Sequence, residues 1–195
     1  MAKDLTKYDF IIAIDKSGSM STMGMHNQSR WKNAKEVTIA VATKAAEFDD
    51  DGITVIPFAN TLKIYDNVTP AKVEQIFIEN EPNGGTDTAG MLQAVFDRYS
   101  QSRLPKPIIL VVVTDGEPND KQHVKTVIEK FSNTLRNDDD FGILFLQIGN
   151  DPEARKFLKE LDDGLKCKFD IVNTKTTDEL EGMSLVDAFI SALED

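Results

Sequence analysis

The sequence predicts an α/β protein of three layers: a doubly wound, mostly parallel six-stranded sheet with one antiparallel edge strand and helices on both faces. Three observations carry that reading. Short apolar runs such as "FIIAI", "PIILVVV" and "GILFLQI" lack polar alternation, as strands buried on both faces do. The segments between them repeat apolar residues at three- and four-residue steps, the mark of amphipathic helices. Strand and helix signals alternate along the chain, the order that a parallel sheet with crossover helices requires.

Each element has its own signal. "FIIAI" opens the sheet, and a helix follows from about Trp31, with Trp31, Ala34, Val37, Val41, Ala45 and Phe48 on one face. "ITVIPF" is the second strand. The link "ANT" to "LKIYDNV" is too short to cross over a sheet, so the third strand runs antiparallel at an edge. "PAKVEQIF" is a short helix with Pro70 in its first turn. After "NGGT", a helix from about Thr88 turns Leu92, Val95, Phe96 and Tyr99 inward. "PIILVVV", the most apolar run, is a central strand, and the next helix carries Val124, Val127, Ile128, Phe131 and Leu135 on one stripe. "GILFLQI" precedes a helix capped by Asp151, with Pro152 at its first position and Gly164 at its end. "FDIV" is the last strand, and a helix near Leu185–Leu193 closes the chain.

The 195 residues fit one domain, 1–195, with 41% hydrophobic and 28% charged residues. There are 33 acidic against 22 basic side chains, a formal net charge of -11. A phosphate binder needs a basic face, so nucleic acid and anionic membrane surfaces are excluded as main partners, and a cation or a basic protein surface is favoured. Cys167 is the single cysteine, which rules out an internal disulfide and suits a reducing compartment. The N-terminus lacks the apolar stretch of a signal peptide and "IILVVV" is too short to span a bilayer, so the expectation is a cytoplasmic protein.

The first strand ends abruptly in "IDKSGSM", an acid followed by two hydroxyls at alternate positions. In sheets of this class ligands sit beyond the carboxyl ends of the strands, where strand order reverses. Asp15 lies just past the first strand, and Asp115 in "VVVTDGEP" lies just past the central one. If those strands are neighbours, the two carboxylates face each other across one crevice. Such a pair repels unless it takes up a proton or shares a cation. Ser17 and Ser19 add neutral oxygens, and Gly18 is expected to tighten the turn between them. An all-oxygen set without Cys or His suits a hard cation such as Mg²⁺ rather than zinc.

Asp15-Lys16-Ser17-Gly18-Ser19 resembles the D-x-S-x-S motif of the von Willebrand factor type A domain. The family's second element is a threonine between helices, for which "NGGTDT" supplies Thr86. Its third is an aspartate after the fourth strand, for which "TDGEP" supplies Asp115. The likeness covers essentially the whole chain and is to the bacterial cytoplasmic type. It implies a metal-ion-dependent adhesion site. Ser17, Ser19 and Thr86 would bind the ion, and Asp15 and Asp115 would bind it directly or through water. One position is left for an Asp or Glu of a partner protein. Mg²⁺ is the implied ion, with Mn²⁺ or Ca²⁺ as alternatives. The implied activity is binding, not catalysis.

An alternative is a metal-dependent phosphoryl-transfer enzyme using Asp15. Such phosphatases carry a second acid where this chain has Ser17, and neither G-x-x-x-x-G-K-[ST] nor G-x-S-x-G is present. The alternative reading of Ser17 and Ser19 is that they cap the following turn. Lys16 is expected to point to solvent, and the polar segment from Ser21 to Arg30 to rim the site or to move. Asp87 and Glu117 read as helix-start acids, and Asn119 as a helix cap with Gln122 completing a capping box. Asp49–Asp51 and Asp138–Asp140 read as solvated turns at the opposite end of the sheet. His26 and His123 read as surface residues and Cys167 as structural. Relatives can relay a pull through the last helix to a neighbouring domain. Here the helix ends the chain, so switching is expected to act through another subunit or partner.

Overall fold

A computed structural model describes residues 3–24, 27–103 and 105–194. The apolar runs form a sheet of β1 (Asp9–Asp15), β2 (Ile53–Phe58), β3 (Tyr65–Val68), β4 (Ile108–Thr114), β5 (Phe141–Gln147) and β6 (Val172–Thr176). Their spatial order is β3-β2-β1-β4-β5-β6. Every neighbouring pair is parallel except β2 and β3, which meet antiparallel at the edge.

The helices are α1 (Arg30–Ala45), α2 (Pro70–Glu79), α3 (Thr88–Gln101), α4 (Lys121–Ser132), α5 (Pro152–Asp163), α6 (Thr177–Glu181) and α7 (Leu185–Ser191). Side chains alternate across a strand, and β1 shows what that does. Phe10, Ile12 and Ile14 pack with residues of α1, α2 and α7. Ile11 and Ala13 pack on the other face with residues of α3, α4 and α5. The sheet is therefore sandwiched between two apolar layers, each too large to leave uncovered.

From β1 the chain winds outward to β2 and β3, then returns to β4 and winds the opposite way. The reversal falls between β1 and β4, which pair from Asp9–Ile108 to Ile14–Val113. Loops leaving the carboxyl ends of these two strands border one crevice.

Three expectations need correction. The last strand starts only at Val172, the final residue of "FDIV", and runs on to Thr176. Its Asn-Thr-Lys-Thr stretch is polar because it forms the sheet's outer edge, while Ile171 approaches with its carbonyl accepting from Ile143 N–H at 2.7 Å. The short α6 was not foreseen, although Thr176 and Glu179 form a reciprocal capping box. Asp49 is not solvated: it is 5% exposed, and its Oδ2 accepts from Phe10 N–H at 3.0 Å. Asp138 and Asp139 are exposed, as is His123, whereas His26 lies outside the described residues.

Candidate metal centre

Asp15 ends β1 with its side chain fully buried, and Asp115, the residue after β4, is equally buried. Thr114 donates its hydroxyl to Asp15 Oδ2 at 2.7 Å, and Ser17 N–H donates to Asp15 Oδ1 at 2.8 Å. The hydroxyls of Ser17 and Ser19 lie 3.0 Å apart, and Ser19 donates to Asp115 Oδ1 at 2.9 Å. An unbroken run of oxygen atoms thus crosses from the β1 loop to the β4 loop. Asp115 Oδ2 accepts from Arg30 Nη1 at 2.7 Å.

Two residues past β1 a 3₁₀ turn, Gly18–Ser21, begins, with Ser17 at its N-terminal boundary and Ser19 within it. Gly18 is not forced by backbone strain: it has no positive φ, and its part is an N–H that donates to Gly84 O at 3.0 Å. Gly84 is the glycine whose conformation matters, with φ at 79°.

That contact brings in the loop of Thr86, which is 7% exposed. Thr86 N–H donates to Asn119 Oδ1 at 3.0 Å, and Thr86 O accepts from Asn119 N–H at 2.9 Å. Asn60 Oδ1 takes Gly85 N–H at 3.0 Å. Asn119 is therefore not the cap of α4; Asp120 accepts from His123 N–H in that role, and Asn119 fastens the Thr86 loop to the β4 loop. Asp87 caps α3 by accepting from Gly90 N–H, and Glu117 pairs with Lys121 at 2.7 Å, so both remain helix-start acids.

Burial pushes the Asp15 carboxyl up to about 6, and the neighbouring Asp115 adds to the rise, against hydrogen bonds from Ser17 and Thr114 that lower it. Two buried acids face one guanidinium, so the crevice is short of positive charge. Its donors are carboxylate and hydroxyl oxygens, a set that fits a hard divalent cation.

Residues 7–189 match the family of von Willebrand factor A domains found in the TerF C terminus. The chain belongs to this TerF-like von Willebrand factor A family. No curated protein matches it. Its fold is shared by a mutant PilB minor pilin from Streptococcus sanguinis, with a TM-score of 0.62 and 13% identity over 96% of this chain and 61% of that one. It is shared too by a von Willebrand factor type A structure from Catenulispora acidiphila, with a TM-score of 0.56 and 17% identity over 96% of this chain and 41% of the other. Manganese-loaded TRAP protein from Plasmodium vivax aligns with a TM-score of 0.57 and 16% identity, over 96% of this chain and 75% of that one. The chain thus spans less than two thirds of the first two proteins.

Within this von Willebrand A domain, Thr114 and Asn60 border the candidate site without a sequence signal of their own, Asn119 was expected only as a helix cap, and Arg30 only as the end of the polar 21–30 segment. Thr114 directly precedes Asp115 and the glycine run precedes Thr86, so nearness in sequence could have flagged the first of them. Asn60, Asn119 and Arg30 act across tens of residues. A second group of acids, Asp9, Asp49 and Asp51, has carboxylate oxygens within 4.8 Å of one another. These lie at the amino ends of β1 and β2, about 20 Å from Asp15 along the strand. Lys106 Nζ sits 2.8 Å from Asp9 Oδ1 and 3.5 Å from Asp51 Oδ2.

Proposed function

We propose that this von Willebrand A domain is a divalent-cation-dependent protein-binding module that does no chemistry of its own. Asp15, Ser17, Ser19, Thr86 and Asp115 hold the ion, with Mg²⁺ as the first choice, and a partner protein completes its coordination with an Asp or Glu. The observation that carries the reading is the continuous Ser17–Ser19–Asp115 contact beside buried Asp15, at the point where strand order reverses. When bound, the ion supplies a strongly positive centre that a carboxylate can reach from solvent.

The chain's own residues do the rest. Asp15 and Asp115 bring the negative charge that retains a cation. Ser17, Ser19 and Thr86 bring neutral oxygens, which leave that charge only partly cancelled. Thr114 and Asn119 fix the orientation of Asp15 and the position of Thr86. Ser19 is exposed while Ser17 is buried, so the crevice opens to solvent on the Ser19 side. A net charge of -11 repels acidic surfaces in general, so the fitting partner projects one carboxylate from a neutral or basic surround. Among the described residues no helix is long and apolar enough to cross a membrane. A cytoplasmic setting and the lack of a nucleic-acid partner belong to the same proposal, resting on the single cysteine and the acidic charge.

Calorimetric titration of metal-free protein with Mg²⁺ and Mn²⁺ tests the reading. The parent should bind one ion, and Asp15→Ala should weaken binding by at least about tenfold. Equal affinity in the two proteins would refute the assignment. Capture of partner proteins should depend on Mg²⁺ and fail in chelator.

A further inference from the structure

Arg30 begins α1, directly after the Ser29 cap, and its backbone N–H donates to Thr22 O at 2.9 Å. Its Nη1 reaches into the metal centre and donates to fully buried Asp115 at 2.7 Å, with the arginine side chain 19% exposed. The other end of the guanidinium is poorly held. Nε is buried without a hydrogen-bond partner and lies against Gly149, where an added Cβ would come within 3.3 Å of it.

The same side chain lines a cavity of about 370 Å³ between α1, the turn at Ile148–Gly149 and α6. Val37, Val41, Ile148, Leu180 and Leu185 give it an apolar wall, and its solvent-facing rim is acidic. Gln28 Oε1 on its wall is a buried acceptor without a partner. Glu36, Asp178 and Glu181 line it too, and Arg30 is the single basic residue among its described lining. Arg30 thus has acceptors on two sides, Asp115 on one and the cavity wall on the other.

We propose that Arg30 is the tethered counter-cation of the metal-free site: a divalent ion ejects the guanidinium from Asp115, the side chain turns into the acid-lined cavity, and this exchange sets the affinity for the ion. The inference rests on the proposed metal centre. An ion on Asp115 Oδ1, the oxygen facing Ser19, would repel the guanidinium on Oδ2 across the same carboxylate. In the metal-free protein the guanidinium compensates a carboxylate that would otherwise be buried and unpaired. It therefore stabilises the empty site and competes with loading.

The test is calorimetric titration of the full chain with Mg²⁺ and Mn²⁺, for the parent, Arg30→Gln, Arg30→Lys and Asp15→Ala, with melting temperatures in chelator and in saturating Mg²⁺. Arg30→Gln should bind the ion about tenfold more tightly, the size of effect a neighbouring guanidinium has on a carboxylate's hold on a proton. It should melt below the parent in chelator, and the gap should close in Mg²⁺. Arg30→Lys keeps the charge and should stay near the parent. Unchanged or weaker affinity in Arg30→Gln overturns the proposal. If Arg30→Gln does not fold, the parent decides: its Arg30 Nε–H resonance, assigned by its loss in Arg30→Lys, should shift on Mg²⁺ saturation, and an unmoved resonance overturns the proposal. A parent that binds no ion removes the metal reading itself. Binding that is lost in Asp15→Ala but indifferent to Arg30 removes only the exchange.

Discussion

At Asp15, burial and the nearby Asp115 favour a bound proton, while Thr114 and Ser17 favour the charge, and burial wins. The folded carboxyl titrates near 6 against about 4 in an unfolded chain. The folded state then holds the proton more tightly, so the group's stabilising effect is complete below the unfolded value and is lost as pH rises through the folded one. Metal-free protein should melt at progressively lower temperature from about pH 4 to 6, and Asp15→Asn should flatten that slope in a thermal melt. Asn119 makes a different prediction. Asn119→Ala leaves every proposed ligand in place but frees the Thr86 loop. It should weaken Mg²⁺ binding by about 10–100-fold in calorimetry, as lost outer supports do. Its role was hidden because Asn and Asp are nearly equal helix caps. Asn119-Asp120 offers both, and which one caps α4 depends on a bond to Thr86 33 residues away. Asp15 and Asp115 were legible because an acid after an apolar strand is conspicuous; Arg30, one basic residue at a helix start, carried no such signal.

At the scale of elements, strand centres were read more surely than strand ends. β4 and β5 are buried throughout and lack polar side chains up to their last residues, Thr114 and Gln147, so the apolar run defines them. β6 is buried at only two of its residues, because an edge strand needs apolar side chains only where it meets the core. The run Asp49–Asp51 misled for a related reason. Composition suggested solvent, yet Asp49 turns inward and accepts the first N–H of β1's apolar stretch, tying the α1–β2 turn to the sheet. Burial, with the neighbouring Asp51 and Asp9 carboxylates, holds its carboxyl above the ordinary range, while Asp51 is held below. A raised folded value again means stability lost as pH rises. Asparagine keeps the acceptor without the charge. Asp49→Asn should therefore match or exceed the parent's stability at pH 8 in urea unfolding. Asp49→Ala, which strands the Phe10 N–H, should lose about 1–3 kcal/mol.

Across the whole molecule, topology was the most legible feature. The alternation of strands and helices dictated a parallel sheet, and the short link after Phe58 dictated its one antiparallel edge. The cavity beside α1 was not legible, since its described walls come from Gly24 and from residues 28–41, 148–149 and 177–185. If the crevice holds an ion, occupancy must register in global stability. At a hundredfold excess over the dissociation constant the gain is about 2.7 kcal/mol. For a chain of this size that is a rise of about 5–10 °C in melting temperature, reversed by chelator. How such occupancy is felt elsewhere follows from β1. It is laced to β4 from Asp9 to Ile14 and to β2 from Ile11 to Asp15. A strand anchored on both flanks cannot slide or tilt as the crevice fills, and serves as a fixed anvil. Any response to a bound ion would be taken up in the loops around Ser17–Ser21, Thr86 and Asp115 rather than lengthwise through the sheet.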